Sequence, residues 1–120
     1  DEYVMVKVLE AINLGFTAKM ACLINDENYS FEKINIKDFT RRKSLDIIRG
    51  RLIGTHGKTK KTIEHVSGCK IKMKNNDVGI LGLTESVEDA LTALIRLIKG
   101  TKQTNAYKYL ERRNRERNKF

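Results

Sequence analysis

Apolar residues return at helical spacing in the opening segment, at Met5, Val8, Leu9 and Ile12, and Gly15 closes the pattern. Thr17 is a candidate N-cap for a second short helix carrying Met20, Leu23 and Ile24. Asn25-Asp26-Glu27-Asn28 ends it. From Phe31 to Phe39 the period changes to two: Ile34 and Ile36 point one way, Lys33, Asn35 and Lys37 the other, which predicts a strand. A polar, basic connection follows at Thr40-Arg41-Arg42-Lys43. Ser44 to Ile53 then reads as a helix with Leu45, Ile48 and Leu52 on one face, stopped by Gly54. Helical spacing resumes from Lys58 to Val66, with Thr62, Ile63 and Val66 inward, and Gly68 closes it. Cys69-Lys70-Ile71-Lys72-Met73-Lys74 alternates strictly, so one face of this strand is expected to be buried and the lysine face to meet water. Asn75-Asn76-Asp77 turns the chain into a returning strand, Val78 to Leu83.

The next helix starts near Thr84 or Ser86, with Glu85, Glu88 and Asp89 at its positive end. A broad stripe of Val87, Ala90, Leu91, Leu94, Leu97 and Ile98 must pack on the sheet. Gly100 ends it. A last helix starts at Thr104 or Asn105 and runs through Tyr107 and Leu110. From Ala106 to Phe120, Lys108, Arg112, Arg113, Arg115, Arg117 and Lys119 are opposed only by Glu111 and Glu116, and the stretch is largely polar after Leu110, so it is expected to project from the domain. No internal repeat is visible. The element order makes an α+β domain, in three parts: a helical pair at 1–28, the main unit at 29–103, and a basic C-terminal helix at 104–120.

Composition narrows the function. A 40% hydrophobic share in 120 residues supports one packed domain, and the mixed signs of the 32% charged residues argue against disorder. The net charge of +9 favours a polyanionic partner, nucleic acid or an anionic membrane. No apolar run is long enough to span a bilayer. The first residues are Asp1-Glu2 rather than Met, which fits a fragment of a longer protein and leaves a lost targeting segment open. Cys22 and Cys69 stand far apart without metal-ligand spacing and are expected to be buried thiols of a reducing compartment. Asn28-Tyr29-Ser30 matches a glycosylation sequon by chance-level criteria only. No cofactor motif and no metal site is expected, and no Ser/His/Asp, Cys/His or paired-carboxylate arrangement suggests an enzyme.

Gly54-Thr55-His56-Gly57 joins two short helices with no strand between them, in a run from Ile48 to Glu64. Two glycines let the main chain approach a sugar-phosphate backbone without a Cβ in the way. The helix that starts after Gly57 turns free amides and its positive dipole end toward an anion. Arg49, Arg51, Lys58, Lys60 and Lys61 add charge, and no acidic residue lies between Arg49 and Lys61. A nucleotide-binding P-loop is excluded, because Gly57-Lys58-Thr59 would need glycine where Leu52 stands and a strand where a helix is read. His56 is expected to be an exposed polar residue or phosphate contact, and His65 a surface residue.

The run Ile48-Arg49-Gly50-Arg51-Leu52-Ile53-Gly54-Thr55-His56-Gly57-Lys58-Thr59-Lys60-Lys61, continued through Gly68-Cys69-Lys70-Ile71, resembles a type I KH domain. That resemblance implies a three-stranded antiparallel sheet packed on three helices, and a loop that orients about four nucleotides of single-stranded RNA. It implies RNA contacts at Arg49, Arg51, Leu52, Ile53, Gly54, Thr55, His56, Gly57, Lys58, Thr59, Lys60, Lys61, Lys70 and Lys72. Leu52 and Ile53 would form the groove floor, and Ile71 and Met73 are left as groove wall or core.

A wider frame is carried by Asn13-Leu14-Gly15-Phe16, Ile36-Lys37-Asp38-Phe39, Ile80-Leu81-Gly82, Lys99-Gly100 and Ala106-Tyr107-Lys108-Tyr109-Leu110-Glu111-Arg112-Arg113. Nearly the whole chain is similar to the second half of the Partner-of-Nob-one family, pre-ribosomal KH proteins of archaea and eukaryotes. This implies that residues 1–14 end a preceding, degenerate KH domain. It also implies a non-enzymatic assembly factor that binds small-subunit ribosomal RNA near its 3′ end and assists 3′-end processing. The implied partners are a Nob-one-type endonuclease and an rRNA dimethyltransferase, with no membrane. The implied location is the cytoplasm if archaeal, and the nucleus or nucleolus and cytoplasm if eukaryotic. Where that family has a proline-containing turn this chain has Gly100-Thr101-Lys102-Gln103-Thr104, so a looser helix exit is expected. A generic KH regulator of mRNA and a Krr-one-like, mainly protein-binding KH protein are the competing readings.

Overall fold

The computed structural model describes residues 2–118. Three strands, β1 (Tyr29–Asn35), β2 (Lys70–Lys74) and β3 (Asp77–Leu83), form an antiparallel sheet in the order β1-β3-β2. Phe31 lies opposite Leu81, and Ile71 opposite Ile80. The alternation read at Cys69–Lys74 therefore places Ile71, Val78 and Ile80 on one face, and Phe31, Gly79 and Leu81 on the other.

The first face receives α3 (Leu45–Ile53), α4 (Lys58–Ser67) and α5 (Thr84–Ile98). Their Ile48, Leu52, Ile63, Val87, Leu94 and Leu97 close the main core over Ile71, Val78 and Ile80. The second face receives α1 (Glu2–Leu14), α2 (Ala18–Ala21) and the 3-10 turn Cys22–Asn25, which enclose Ala11, Leu14, Phe16, Ala21 and Ile24 with Phe31 and Leu81. Both faces of β3 are covered, so Val78 to Gly82 are buried without a break. Gly79 is what lets α1 come this close: a Cβ there would stand 2.6 Å from Leu14 Cδ1.

Several expectations are corrected. Residues 36–39 leave the sheet as a 3-10 turn, because Asn35 Oδ1 accepts the Lys37 amide at 2.9 Å and bends the chain, dropping Ile36 into the core. In α1 the inward face carries Ala11 and Leu14, while Met5, Leu9 and Ile12 face out. Small Ala11 allows a close approach that the larger side chains would prevent. The lysine face of β2 does not simply meet water, since the end of α1 lies over it. Lys72 is half-buried with its Cδ 3.9 Å from the position a Gly15 Cβ would take, and Lys74 Nζ donates to Asn13 O at 3.4 Å. Cys69 is buried as expected, whereas Cys22 is exposed.

The C-terminal helix α6 (Gln103–Asn118) does not project. Ala106 and Leu110 enter the main core. Arg113 Nε and Arg117 Nη2 donate to the nearly buried Asp89 carboxylate at 3.2 and 2.6 Å, and this bond raises the Arg113 pKa further. Asn114 Nδ2 donates to Val66 O at 2.5 Å. Polar spacing hid this face, because arginine stems and one buried carboxylate do the packing that apolar side chains normally do. Lys119 of the basic run lies outside the described residues. Nor is the exit from α5 loose. Gly100 takes φ +110° and Thr101 N and Gly100 N return to Arg96 O and Leu97 O at 2.9 and 3.1 Å, a Schellman closure that needs no proline.

Candidate nucleic-acid interface

α3 ends where Gly54 takes φ +79° and ψ 169°, with its amide donating to Gly50 O at 2.7 Å. Gly57 N returns to Gly54 O at 3.1 Å, and His56 and Gly57 both adopt positive φ. The two glycines serve different purposes. A Cβ on Gly54 would stand 2.6 Å from the backbone nitrogen of Thr59, so this residue is glycine because α4 begins directly against it. A Cβ on Gly57 would meet only Lys61 Cε at 3.8 Å, so its requirement is the left-handed backbone (φ +75°) and the open space above it.

Thr55 and His56 form the exposed crest. α4 starts without a side-chain cap; the Lys58 amide is taken by Thr55 O, and no side-chain oxygen caps the amides that follow it in the first turn. Lys58 and Lys61 are exposed beside them. Lys60 is half-buried and sits 3.9 Å from Glu64 Oε1. The other Glu64 oxygen accepts the Ile71 amide at 2.9 Å on the open edge of β2, a contact that periodicity does not reveal. This arrangement holds fixed dipoles and mobile positive charge around a crest of backbone, which suits a phosphate chain.

Among the residues expected to touch RNA, the fold brings Ile53, Gly54, Thr55, His56, Gly57, Lys58, Lys60 and Lys61 to one surface, with Ile53 at 39% exposure. The others are buried, engaged inside the protein or on another face. Leu52 and Thr59 are buried at 1% and 4% exposure, so they support the loop from beneath. Arg49 is tied to the β2–β3 turn, its Nη1 donating to Asn76 Oδ1, and it pairs with Asp46. Arg51 donates to Thr101 O at 2.5 Å and so binds the α5–α6 link. Lys70 and Lys72 share the sheet face of Leu81 and Gly79, away from α3 and α4. Helical and strand periodicity places residues on faces, but it does not reveal that these two arginines have partners inside the protein.

Sequence reading missed a second feature. Docking of α6 carries Gln103 and Tyr107 to the loop, where they complete an open pocket of about 460 Å3 with Ile47, Gly50, Arg51, Thr55 and Lys58. Among the described residues no group of His, Cys, Asp and Glu is placed to hold a metal ion, and no helix is long and apolar enough to cross a membrane.

Residues 30–115 match the family model for the second KH domain of PNO1, described as a eukaryotic type KH-domain (KH-domain type I). A KH domain-containing protein of Methanocaldococcus jannaschii is 33% identical over 106 residues, which cover 88% of this chain and 47% of that protein. The RNA-binding protein pno1 of Ixodes scapularis is 32% identical over 102 residues, covering 82% and 44%. The chain thus spans about half the length of the curated relatives it matches. Among solved structures, Dim2p from Pyrococcus horikoshii superposes with a TM-score of 0.81 at 33% identity, covering 92% of this chain and 64% of that one. The a/eIF2alpha-aDim2p-rRNA complex of the same organism superposes with a TM-score of 0.85 at 32% identity, covering 95% and 63%. The type I sheet order, the intact loop between α3 and α4, and these matches over most of its length agree: the chain belongs to the PNO1/Dim2 family of KH-domain proteins.

Proposed function

We propose that this chain binds single-stranded RNA across the Gly54–Gly57 loop and serves small-subunit ribosome assembly, on ribosomal RNA near its 3′ end. The observation that carries the reading is the loop itself, an exposed crest with both glycines intact, a helix start without a side-chain cap behind it, and Lys58 and Lys61 exposed beside it. Backbone amides and these lysines hold phosphates, Ile53 offers apolar contact to a base, and Thr55 and His56 lie against the sugar-phosphate chain. Names among the relatives support the biological setting: one is the pre-rRNA-processing protein pno1 of Aspergillus fumigatus, and one solved neighbour is an rRNA complex. From the resemblance to the Partner-of-Nob-one family, a Nob-one-type endonuclease and an rRNA dimethyltransferase are the proposed protein partners, and the proposed role is binding rather than catalysis.

The test is fluorescence anisotropy with a single strand copying the 3′ end of small-subunit ribosomal RNA, beside a scrambled strand. The double variant Thr55→Asp, His56→Asp puts two negative charges on the crest without touching the core. Preference for the ribosomal strand, lost in the variant, is the expected result. Equal binding of both strands, unchanged by the aspartates, would remove the loop from the interface.

A further inference from the structure

We infer that α6 is part of the RNA site: a nucleotide flanking the stretch held by the loop lodges in the pocket against Tyr107. This rests on the reading of Gly54–Gly57 as the backbone clamp and adds a subsite to it.

The pocket has the makings of a nucleotide site. Its volume of about 460 Å3 lies within the range of small-ligand sites, and no acidic residue lines it. Tyr107 is half-buried. It packs against the main core while also lining the pocket, so its ring is held in place as a stacking surface rather than swinging in solvent. Ile47 stands across from it at 62% exposure, a large apolar side chain with nothing covering it, next to a charged loop. Gln103 brings an amide that can both donate and accept at a base edge.

Charge is supplied from the other side. Lys58 lines the pocket and also flanks the loop, so one side chain serves both sites. Arg51 lines the pocket and is held there by its bond to Thr101 O, which fixes a positive charge at the pocket wall. Continuity completes the case: Gly54 and Thr55 belong to both the crest and the pocket wall, so a strand crossing the loop reaches the pocket without a gap. Gly50 keeps the opening clear. It is exposed, and a Cβ there would find nothing within 4 Å.

That open position supplies a variant independent of Tyr107. Gly50→Leu fills the pocket from α3 without entering the core, while Tyr107→Leu removes the ring and Tyr107→Phe keeps it. The probe is a twelve-nucleotide strand copying the 3′ end of small-subunit ribosomal RNA, with 2-aminopurine walked through every position. Stacking on a tyrosine ring quenches this base. The expected result is one position, outside the stretch sensitive to Thr55→Asp, His56→Asp, that is quenched in the unmodified protein and in Tyr107→Phe. It brightens in Tyr107→Leu and Gly50→Leu, and affinity falls about tenfold in each, in line with the loss of one base–aromatic stack. Unchanged affinity in both leucine variants, with no position responding to residue 107, would overturn the subsite while leaving the loop reading intact. Binding insensitive to the two aspartates would instead bring down the loop reading, and the subsite with it.

Discussion

Replacing Gly54 by alanine should cost far more stability than replacing Gly57, although both are motif glycines at positive φ. Gly54 sits at φ +79°, ψ 169°, a region essentially closed to residues with a Cβ, where strain is about 1–3 kcal/mol. The added methyl would also meet the Thr59 backbone nitrogen at 2.6 Å. That atom is main chain at the start of α4, so it cannot swing aside, and overpacking of this kind adds about 1–3 kcal/mol. A loss of about 3 kcal/mol follows. Gly57 sits at φ +75°, ψ 12°, an ordinary left-handed position with open space around the missing Cβ. Alanine there costs about 1–2 kcal/mol, part of which is recovered because the unfolded chain also loses freedom.

Urea unfolding followed by far-ultraviolet circular dichroism measures both. The midpoint of Gly54→Ala should fall well below that of Gly57→Ala at unchanged slope, with Tm values separated by roughly 5–10 °C for a domain of this size. Adding Thr59→Gly, which removes the Oγ1 and Cβ that a Gly54 Cβ would also meet, should not rescue Gly54→Ala, because the backbone nitrogen at 2.6 Å remains. Equal losses in the two alanine variants, or rescue by Thr59→Gly, would refute the assignment of Gly54 to helix–helix contact. RNA affinity gives the converse order among well-folded proteins: Gly57→Ala, at the open crest, should weaken binding at little cost in folding.

Four further outcomes follow from the same structure. Only Lys58, Lys61 and, through its loose contact with Glu64, Lys60 are available at the loop, so the log–log salt dependence of RNA binding should have a slope near −2, from about −0.7 for each phosphate neutralised. A slope near −3.5 would mean that Arg49 and Arg51 abandon their internal partners on binding. Leu110→Ala should destabilise by about 2–4 kcal/mol in thermal or urea unfolding, since this side chain is buried where α6 meets the core; a loss under about 0.5 kcal/mol would return α6 to a projecting arm. Burial pushes the Cys69 thiol pKa up, so the folded state holds its proton more tightly than the unfolded chain does. Stability is therefore complete below about pH 8.5 and declines as pH rises beyond it, and Cys69→Ser should remove that component of the decline. In the native protein at neutral pH, iodoacetamide should label Cys22 and spare Cys69.

Local pattern carried the sequence reading a long way. The strands β2 and β3, the helices α3, α4 and α5, and the glycine punctuation between them are set by period, turn chemistry and the glycine ends of α3 and α4, all of which act within a few residues, while the three helix starts carry no side-chain cap. The loop was legible for the same reason: glycines, a helix start and lysines lie together in the chain, and their electrostatic consequence needs no distant partner. Even the departure at residues 36–39 is local in cause, since one Asn35 side chain captures the Lys37 amide and outweighs the alternation around it.

What the sequence left open depended on contacts between distant segments. Arg49 and Arg51 read as free cations until the fold supplied Asn76 and Thr101 as partners. Alternation put Lys70 and Lys72 on one face of β2, but only the sheet register shows that this is the face of Leu81 and Gly79, where Lys70 stays exposed and Lys72 is half-buried. The inward face of α1 was decided by Gly79 and Phe31, far along the chain, which admit Ala11 and Leu14 and leave the larger Leu9 outside. α6 looked like a solvated arm because its anchor is a carboxylate on another helix, and only its docking brings Tyr107 to the loop. Periodicity reports which side chains share a face. Which faces meet is decided by shape and charge matched across the whole chain, and that exists only once the chain is folded.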